Sequence, residues 1–159
     1  MDTATAPIIT SESLLKHWQG HRALTRRVIE LFPEEDFFNF TIGGMRTMAQ
    51  LTNEFLAMEA PGLKAIVNRE ENAYTERGDF KTKAGYLEQW DKDTRDIDQY
   101  WAQLNEDDFG KTFKLFGQYE FPVIQNIFYF IDNEIHHRGQ GFVYLRALGI
   151  TPPFFWDRY

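Results

Sequence analysis

Asn133-Glu134-Ile135-His136-His137-Arg138-Gly139-Gln140 sets a block of polar and ionisable groups in the middle of an apolar helical pattern that runs from about Pro122 to Leu148. The block holds two of the chain's four histidines. At about 100° per residue, Ile124, Ile127, Phe128, Ile131, Ile135, Phe142 and Leu145 form one stripe of that helix. Asn126, Phe130, Asn133, His137 and Tyr144 fall on nearly the opposite side. An ordinary surface helix shows one stripe and a solvated back, so two opposed apolar faces need two partners. One face is expected to meet the chain's own core, the other a second subunit or an internal pocket. Asn133 and His137 lie one helical turn apart, the spacing that two ligands of a single metal ion require. His136 points about 100° away and is assigned no share in that role.

The remaining chain must supply the helices that this one packs on. At 159 residues it is long enough to bury one core without staples, with residues 1–10 expected as a flexible leader and 11–159 as a single helical domain. The chain has no cysteine, which excludes disulfides, zinc-thiolate sites and a cysteine nucleophile. A net charge of -7 argues against nucleic acid and anionic membrane as partners. Residues 1–10 lack the basic start and apolar run of a signal peptide, and no stretch approaches the roughly 18 apolar residues of a membrane span, so the expected location is the cytoplasm. Aromatic residues make up 16% of the chain and most are Phe, which predicts a bulky core.

A Thr10/Ser11 cap opens a first helix from about Glu12 to Phe32, stopped by Pro33, with Leu14, Trp18, His21, Thr25, Val28 and Phe32 facing inward. His17 and His21 are a second pair at helical-turn spacing and compete with the C-terminal helix as a metal site. The bland alternative makes each a hydrogen-bonded core or interface histidine. Residues 33–44 read as a Phe-rich connection closing on Gly43-Gly44. A second helix begins near Met45 or Arg46, with Met48, Leu51, Phe55 and Met58 on one side. Glu54 stands at the margin of that face, where a carboxylate needs a metal, a proton-transfer role or an arginine partner. Pro61-Gly62 is expected to interrupt this helix, and residues 69–83 read as a loop. A third helix, about Ala84 to Leu104, repeats Leu87, Trp90, Thr94, Ile97, Trp101 and Leu104 at bundle spacing, with Glu88, Asp91, Asp93, Asp96 and Asp98 as solvated charge. Alternation on both sides of Gly117 predicts a short extended excursion or hairpin before the fourth helix, and Gly149 with Pro152-Pro153 ends that helix. The aromatic tail, Phe154 to Tyr159, is expected to pack back on the bundle or across a dimer.

His136-His137-Arg138-Gly139-Gln140, with Tyr144-Leu145-Arg146, Gly149 and the Pro-Pro pair, resembles the C-terminal helix of the DinB/YfiT-like superfamily, which includes thiol-dependent transferases. The Met45-Arg46-Thr47 entry to helix two and the Trp, His and Arg residues of helix one fit the same resemblance. It implies an all-α four-helix bundle holding a divalent metal between helices two and four, commonly as a dimer. The family pattern is one histidine on helix two and two at i, i+4 on helix four. Carried over by position, these fall on Glu54, Asn133 and His137, so only His137 keeps its type. Such a set suits a hard ion such as Mn, Fe or Mg better than a tight Zn site, with Ni also a candidate, and it equally suits no metal. Arg138 and Gln140 are then supporting or anion-binding residues, with Arg138 paired to Glu54 or Glu134, and Gly139 allows another helix to approach.

Two readings follow. One is a metal-dependent transferase using a low-molecular-weight thiol, or a hydrolase, acting on a small-molecule substrate, with Glu54, Asn133 and His137 as ligands and Arg138 as an anion clamp. The other is a metal-free scaffold or small-ligand-binding protein, a homodimer through helix four, whose polar block locks the bundle.

Overall fold

The computed structural model describes residues 7–78 and 80–159. Helix α1 (Ser11–Leu31) starts where the Thr10 hydroxyl accepts the Ser13 N–H at 3.1 Å, and Pro33 stops it. Its expected inward residues, Leu14, Trp18, His21, Thr25, Val28 and Phe32, are all buried. The first six residues of the expected leader lie outside the described part of the chain. The Phe-rich connection contains a short helix, α2 (Glu34–Asn39). Pro33 presets its first turn, and Glu34, Glu35 and Asp36 suit the positive end of its dipole.

Helix α3 (Met48–Asn68) opens on a reciprocal cap between Thr47 and Gln50 and ends at Arg69, whose φ of 55° closes it in the left-handed region. The expected break at Pro61-Gly62 does not occur. An interior proline costs about 3 kcal/mol, but continuing the helix buries Leu63, Ala65 and Ile66. Gly62 lets the Phe130 ring lie against the backbone, where a Cβ would come within 2.5 Å of the ring. Helix α4 (Lys83–Trp101) is capped by Thr82 and leads through a 3₁₀ turn (Glu106–Gly110) into the expected hairpin. Strands β1 (Thr112–Leu115) and β2 (Tyr119–Pro122) run antiparallel, Phe113 opposite Phe121, around a turn that Gly117 enters at φ 69°. Helix α5 (Val123–Ala147) follows directly.

Four long helices form the bundle: α1 packs on α4 and α5, and α3 packs on the same two. All-α architecture with one small hairpin is therefore observed. No helix among the described residues is long and apolar enough to cross a membrane.

The face that α5 buries differs from the apolar stripe read in the sequence. Asn126, Ile127, Phe130, Ile131, Glu134, Arg138, Gly141, Tyr144 and Leu145 are buried, whereas Phe128 and Ile135 are exposed and Ile124 and Phe142 only partly covered. The core face lies between the two expected stripes because its centre is charged. Gly139 is exposed and a Cβ there would meet open space. The close approach falls at Gly141, against Met48 and Val28. Asp93, read as solvated, is buried and accepts from Arg77 at 2.9 Å.

That charge sits between two apolar clusters, one around Trp18, Leu63, Ile127 and Phe130, the other around Phe55, Trp90, Phe37 and Tyr144. Arg22 donates to Glu59 and to Thr94 (2.9 Å) and lies 4.0 Å over the Trp90 ring. Thr25 donates to Glu134, and Arg138 reaches Thr25 (3.1 Å), the His21 carbonyl (3.2 Å) and Glu134 (3.7 Å). Arg138 thus pairs with Glu134, one of its two expected acids. Glu59 Oε1 and Glu134 Oε2 are buried without a donor from any other side chain among the described residues, and the two carboxyls hydrogen-bond to each other once one of them is protonated.

Burial pushes the Glu59 carboxyl well above the ordinary range, aided by the charge of Glu134 and opposed by Arg22. A raised value means that the folded chain holds a proton the unfolded chain releases, so this contribution fades as pH rises above the ordinary carboxyl value of 4.5. Glu59→Gln mimics the protonated form. Denaturant unfolding at about pH 5, 7 and 9 is expected to show the natural chain losing stability relative to the variant, with the variant equal or ahead at the highest pH.

Candidate functional site

The α3 cap and the turn of α5 after Phe130 bring Glu54, Asn133 and His137 together, and a residue outside the expected set completes the group. Asn133 Nδ2 donates to Glu54 Oε1 at 2.8 Å, and His137 Nε2 lies 3.2 Å from the same oxygen. Arg46, ahead of α3, donates to Glu54 Oε2. Its backbone is anchored by the Tyr144 hydroxyl, which donates to the Arg46 carbonyl at 2.8 Å.

Donor and acceptor roles follow from chemistry. His137 Nε2 sits 3.2 Å from Glu54 Oε1 and 3.2 Å from an Arg46 guanidinium nitrogen, so as a donor it serves the carboxylate and as an acceptor it takes the arginine; Nδ1 lies 3.2 Å from the Gln140 amide nitrogen. Glu54 stands against Asn133, Arg46 and His137, and the nitrogen that would ligate a metal is held between Glu54 and Arg46. Asn133 turns its N–H₂ to the carboxylate, leaving Oδ1 buried without a partner among the described residues. A fixed positive charge already stands beside the only anionic ligand. This arrangement does not fit a resident divalent ion, which needs the lone pairs now committed to, or covered by, hydrogen bonds.

The same bonds set the electrostatics. Donation from His137, then from Asn133 and Arg46, holds the Glu54 carboxyl at about 2 although burial opposes them. A group this acidic stays ionised and is a poor proton acceptor near neutrality. A lowered value contributes stability above the ordinary 4.5 that is lost as pH falls toward about 2. Glu54→Gln is expected to cost about 1–2 kcal/mol at neutral pH after allowance for partial exposure. It should also flatten the acid limb between about pH 5 and 2 in urea titrations.

Beside Glu54 and Arg46 opens a cleft of about 390 Å³ walled by Tyr74, Tyr119, Tyr129 and Phe116, with Met58, Glu76 and Gln118. Tyr119 and Tyr129 lie 5.9 Å apart, and Tyr74 meets Phe116 edge-on at 5.7 Å. Burial, then the charge of Glu54, pushes the Tyr74 phenol up to about 12, so it remains a neutral donor. His17 and His21 stand elsewhere, with ring centroids 4.5 Å apart in a cleft between α1 and α5 that they share with Arg138. Arg138 belongs to the buried charge layer and makes no contact with Glu54. Gln140 does support His137 as expected. No cluster of three or more acidic or histidine side chains placed to hold a metal occurs among the described residues.

Arg46 and the tyrosines had no role in the sequence reading. Arg46 precedes its helix and reaches Glu54 from a loop, so no helical spacing links the two. The tyrosines come from the loop before α4, the hairpin and α5.

The fold is that of known structures. A DinB-like protein from Bacillus cereus ATCC 10987 superposes with a TM-score of 0.76 at 16% identity, over 91% of this chain and 97% of that one. The DinB-like protein YjoA from Bacillus subtilis gives 0.74 at 18%, over 92% and 99%. No curated protein matches the sequence. The DinB family profile matches residues 1–157, and with the bundle and hairpin in place the chain belongs to the DinB family.

Proposed function

We propose that this chain is a metal-independent small-molecule-binding protein whose ligand sits in the tyrosine-walled cleft beside Glu54. The observation that carries this reading is the Arg46 guanidinium seated on Glu54 next to His137, where it supplies the positive charge that an ion would bring. Glu54 is too acidic to shuttle protons, so the group orients and balances charge rather than performing acid–base chemistry. Aromatic walls with Glu54 and Glu76 at the rim favour a flat ligand that is neutral or cationic. Calorimetric titration with phenethylamine, with phenylacetate as the control of opposite charge, tests this. Saturable binding of the amine, weakened at least about tenfold by Tyr74→Ala, is expected. Equal binding of both probes, or none, would overturn it.

An α5 homodimer is supported by a different observation. Phe128 and Val143 are exposed on the outer side of the helix, apolar area that a monomer gains nothing by displaying. Sedimentation at micromolar concentration is expected to show a dimer, and a monomer throughout would refute it.

A further inference from the structure

The cleft between α1 and α5 is a second site, independent of the Glu54 group. It measures about 480 Å³, and its walls are Ile135, Phe142 and Phe155. Its polar lining is His17, His21, Arg138 and Arg158, with no acidic side chain among the described residues. Asp132 acts on His17 through its charge but does not line the cleft.

Two of these groups have N–H bonds with nothing to receive them. Arg138 Nη2 stands 2.9 Å from His21 Nδ1, and because arginine only donates, Nδ1 must hold the lone pair. His21 is therefore the neutral Nε2–H tautomer, and no hydrogen bond engages that nitrogen among the described residues. Burial and the adjoining Arg138, His17 and Arg158 keep the ring neutral, with a value lowered to about 3. Arg158 Nε is buried and likewise without a partner among the described residues. A buried donor such as Arg158 Nε is nearly always satisfied, so its missing partner is an acceptor that the chain does not supply, whereas His21 Nε2 is not sealed from solvent.

The tail is built to hold Arg158 there. Gly20 of α1 leaves room for the Tyr159 ring, which a Cβ would approach to 2.7 Å, and for Arg158 Cβ at 3.3 Å. Asp157 accepts from Arg27 of α1 at 3.0 Å. Charge then selects the ligand. Arg138 is offset by Glu134 at 3.7 Å, and both histidines are held toward neutrality, so the cleft offers one uncompensated charge. A single cation, two aromatic walls and one aliphatic wall match a monoanion with an apolar tail.

We infer that the cleft lined by His17, His21 and Arg158 binds a small amphipathic carboxylate, its oxygens taking the Arg158 and His21 N–H groups and its tail lying on Ile135, Phe142 and Phe155. Octanoate, octanol and acetate separate the contributions of head and tail. In calorimetric titrations of the full chain, octanoate is expected to saturate with a dissociation constant near or below about 1 mM, at least tenfold tighter than octanol or acetate. Arg158→Gln should weaken octanoate at least tenfold, and Arg158→Lys should recover part of that loss, with melting curves of both variants confirming the fold. Equal affinity for octanol would reduce the site to apolar adsorption and overturn the assignment. Octanoate binding unchanged in Arg158→Gln would place the ligand elsewhere, and absence of binding, as when a second copy seals the cleft, would also overturn it.

Discussion

Arg46→Ala combined with Asn133→His is expected to turn the Glu54 group into a metal site, with a dissociation constant for Ni²⁺ or Zn²⁺ of about 1 μM or tighter, against about 1 mM or weaker in the natural chain. That change corresponds to about 4 kcal/mol. Removing Arg46 takes away the cation that donates to Glu54 and crowds His137 Nε2. Substituting Asn133 exchanges an amide whose N–H₂ faces the carboxylate for an imidazole one turn from His137. Two imidazoles and a carboxylate on adjacent helices, with open positions, are a competent divalent set. Each substitution alone should give less than the pair, because one leaves the competing charge and the other leaves the weak ligand. Calorimetry with each ion measures this. A double variant no tighter than the natural chain would show that the three positions do not converge as described.

Arg22→Met is expected to destabilise the fold by about 3–5 kcal/mol, because it removes the buried bonds to Glu59, Thr94 and the Trp90 carbonyl together with the cation that offsets the one charge shared by Glu59 and Glu134. For a chain of this length that lowers the melting temperature by roughly 10 °C. Arg22 and Glu59 are each only 1% exposed, so no water replaces the guanidinium. Its loss also strips Trp90 of its stacked cation and Thr94 of its donor. Protonation of Glu59 limits the damage, which predicts a milder effect at low pH than at high pH. Adding Glu59→Leu should recover much of the loss, since a buried pair can often be exchanged for apolar groups. The account thus predicts asymmetry: Glu59→Gln mild, Arg22→Met severe. Similar costs for the two would mean that Arg22 and Glu59 act as an ordinary ion pair with no proton held at Glu59.

The elements that could be read from sequence are those in which apolar period and burial coincide. On α1 every expected inward residue is buried, and Gly117 marked the hairpin. On α5 hydropathy misplaced the core face, because Glu134 and Arg138 occupy its centre and look like surface. Pro61 was misread for a related reason: packing around Gly62 and Phe130 outweighs a local preference that sequence shows in isolation. The aromatic tail is only half as expected. Arg158 and an edge of the Tyr159 ring rest on Gly20, yet Tyr159, Phe154, Phe155 and Trp156 all stay more than 60% exposed. At the site, family resemblance pointed to the meeting of Glu54, Asn133 and His137, and the helices bring them together. Arg46 could not be found this way, since a loop residue's reach depends on how Gly43 and Gly44 turn the chain, at φ 59° and 75°. It is also the residue on which the choice of the proposed metal-independent reading rests.

Elemental analysis of untagged natural protein, with His137→Ala alongside, tests that decision most directly. The account predicts no stoichiometric transition metal in either preparation, even after soaking and desalting. About one equivalent of metal in the natural protein, lost in His137→Ala, would contradict it and return the Glu54 group to metal-dependent chemistry.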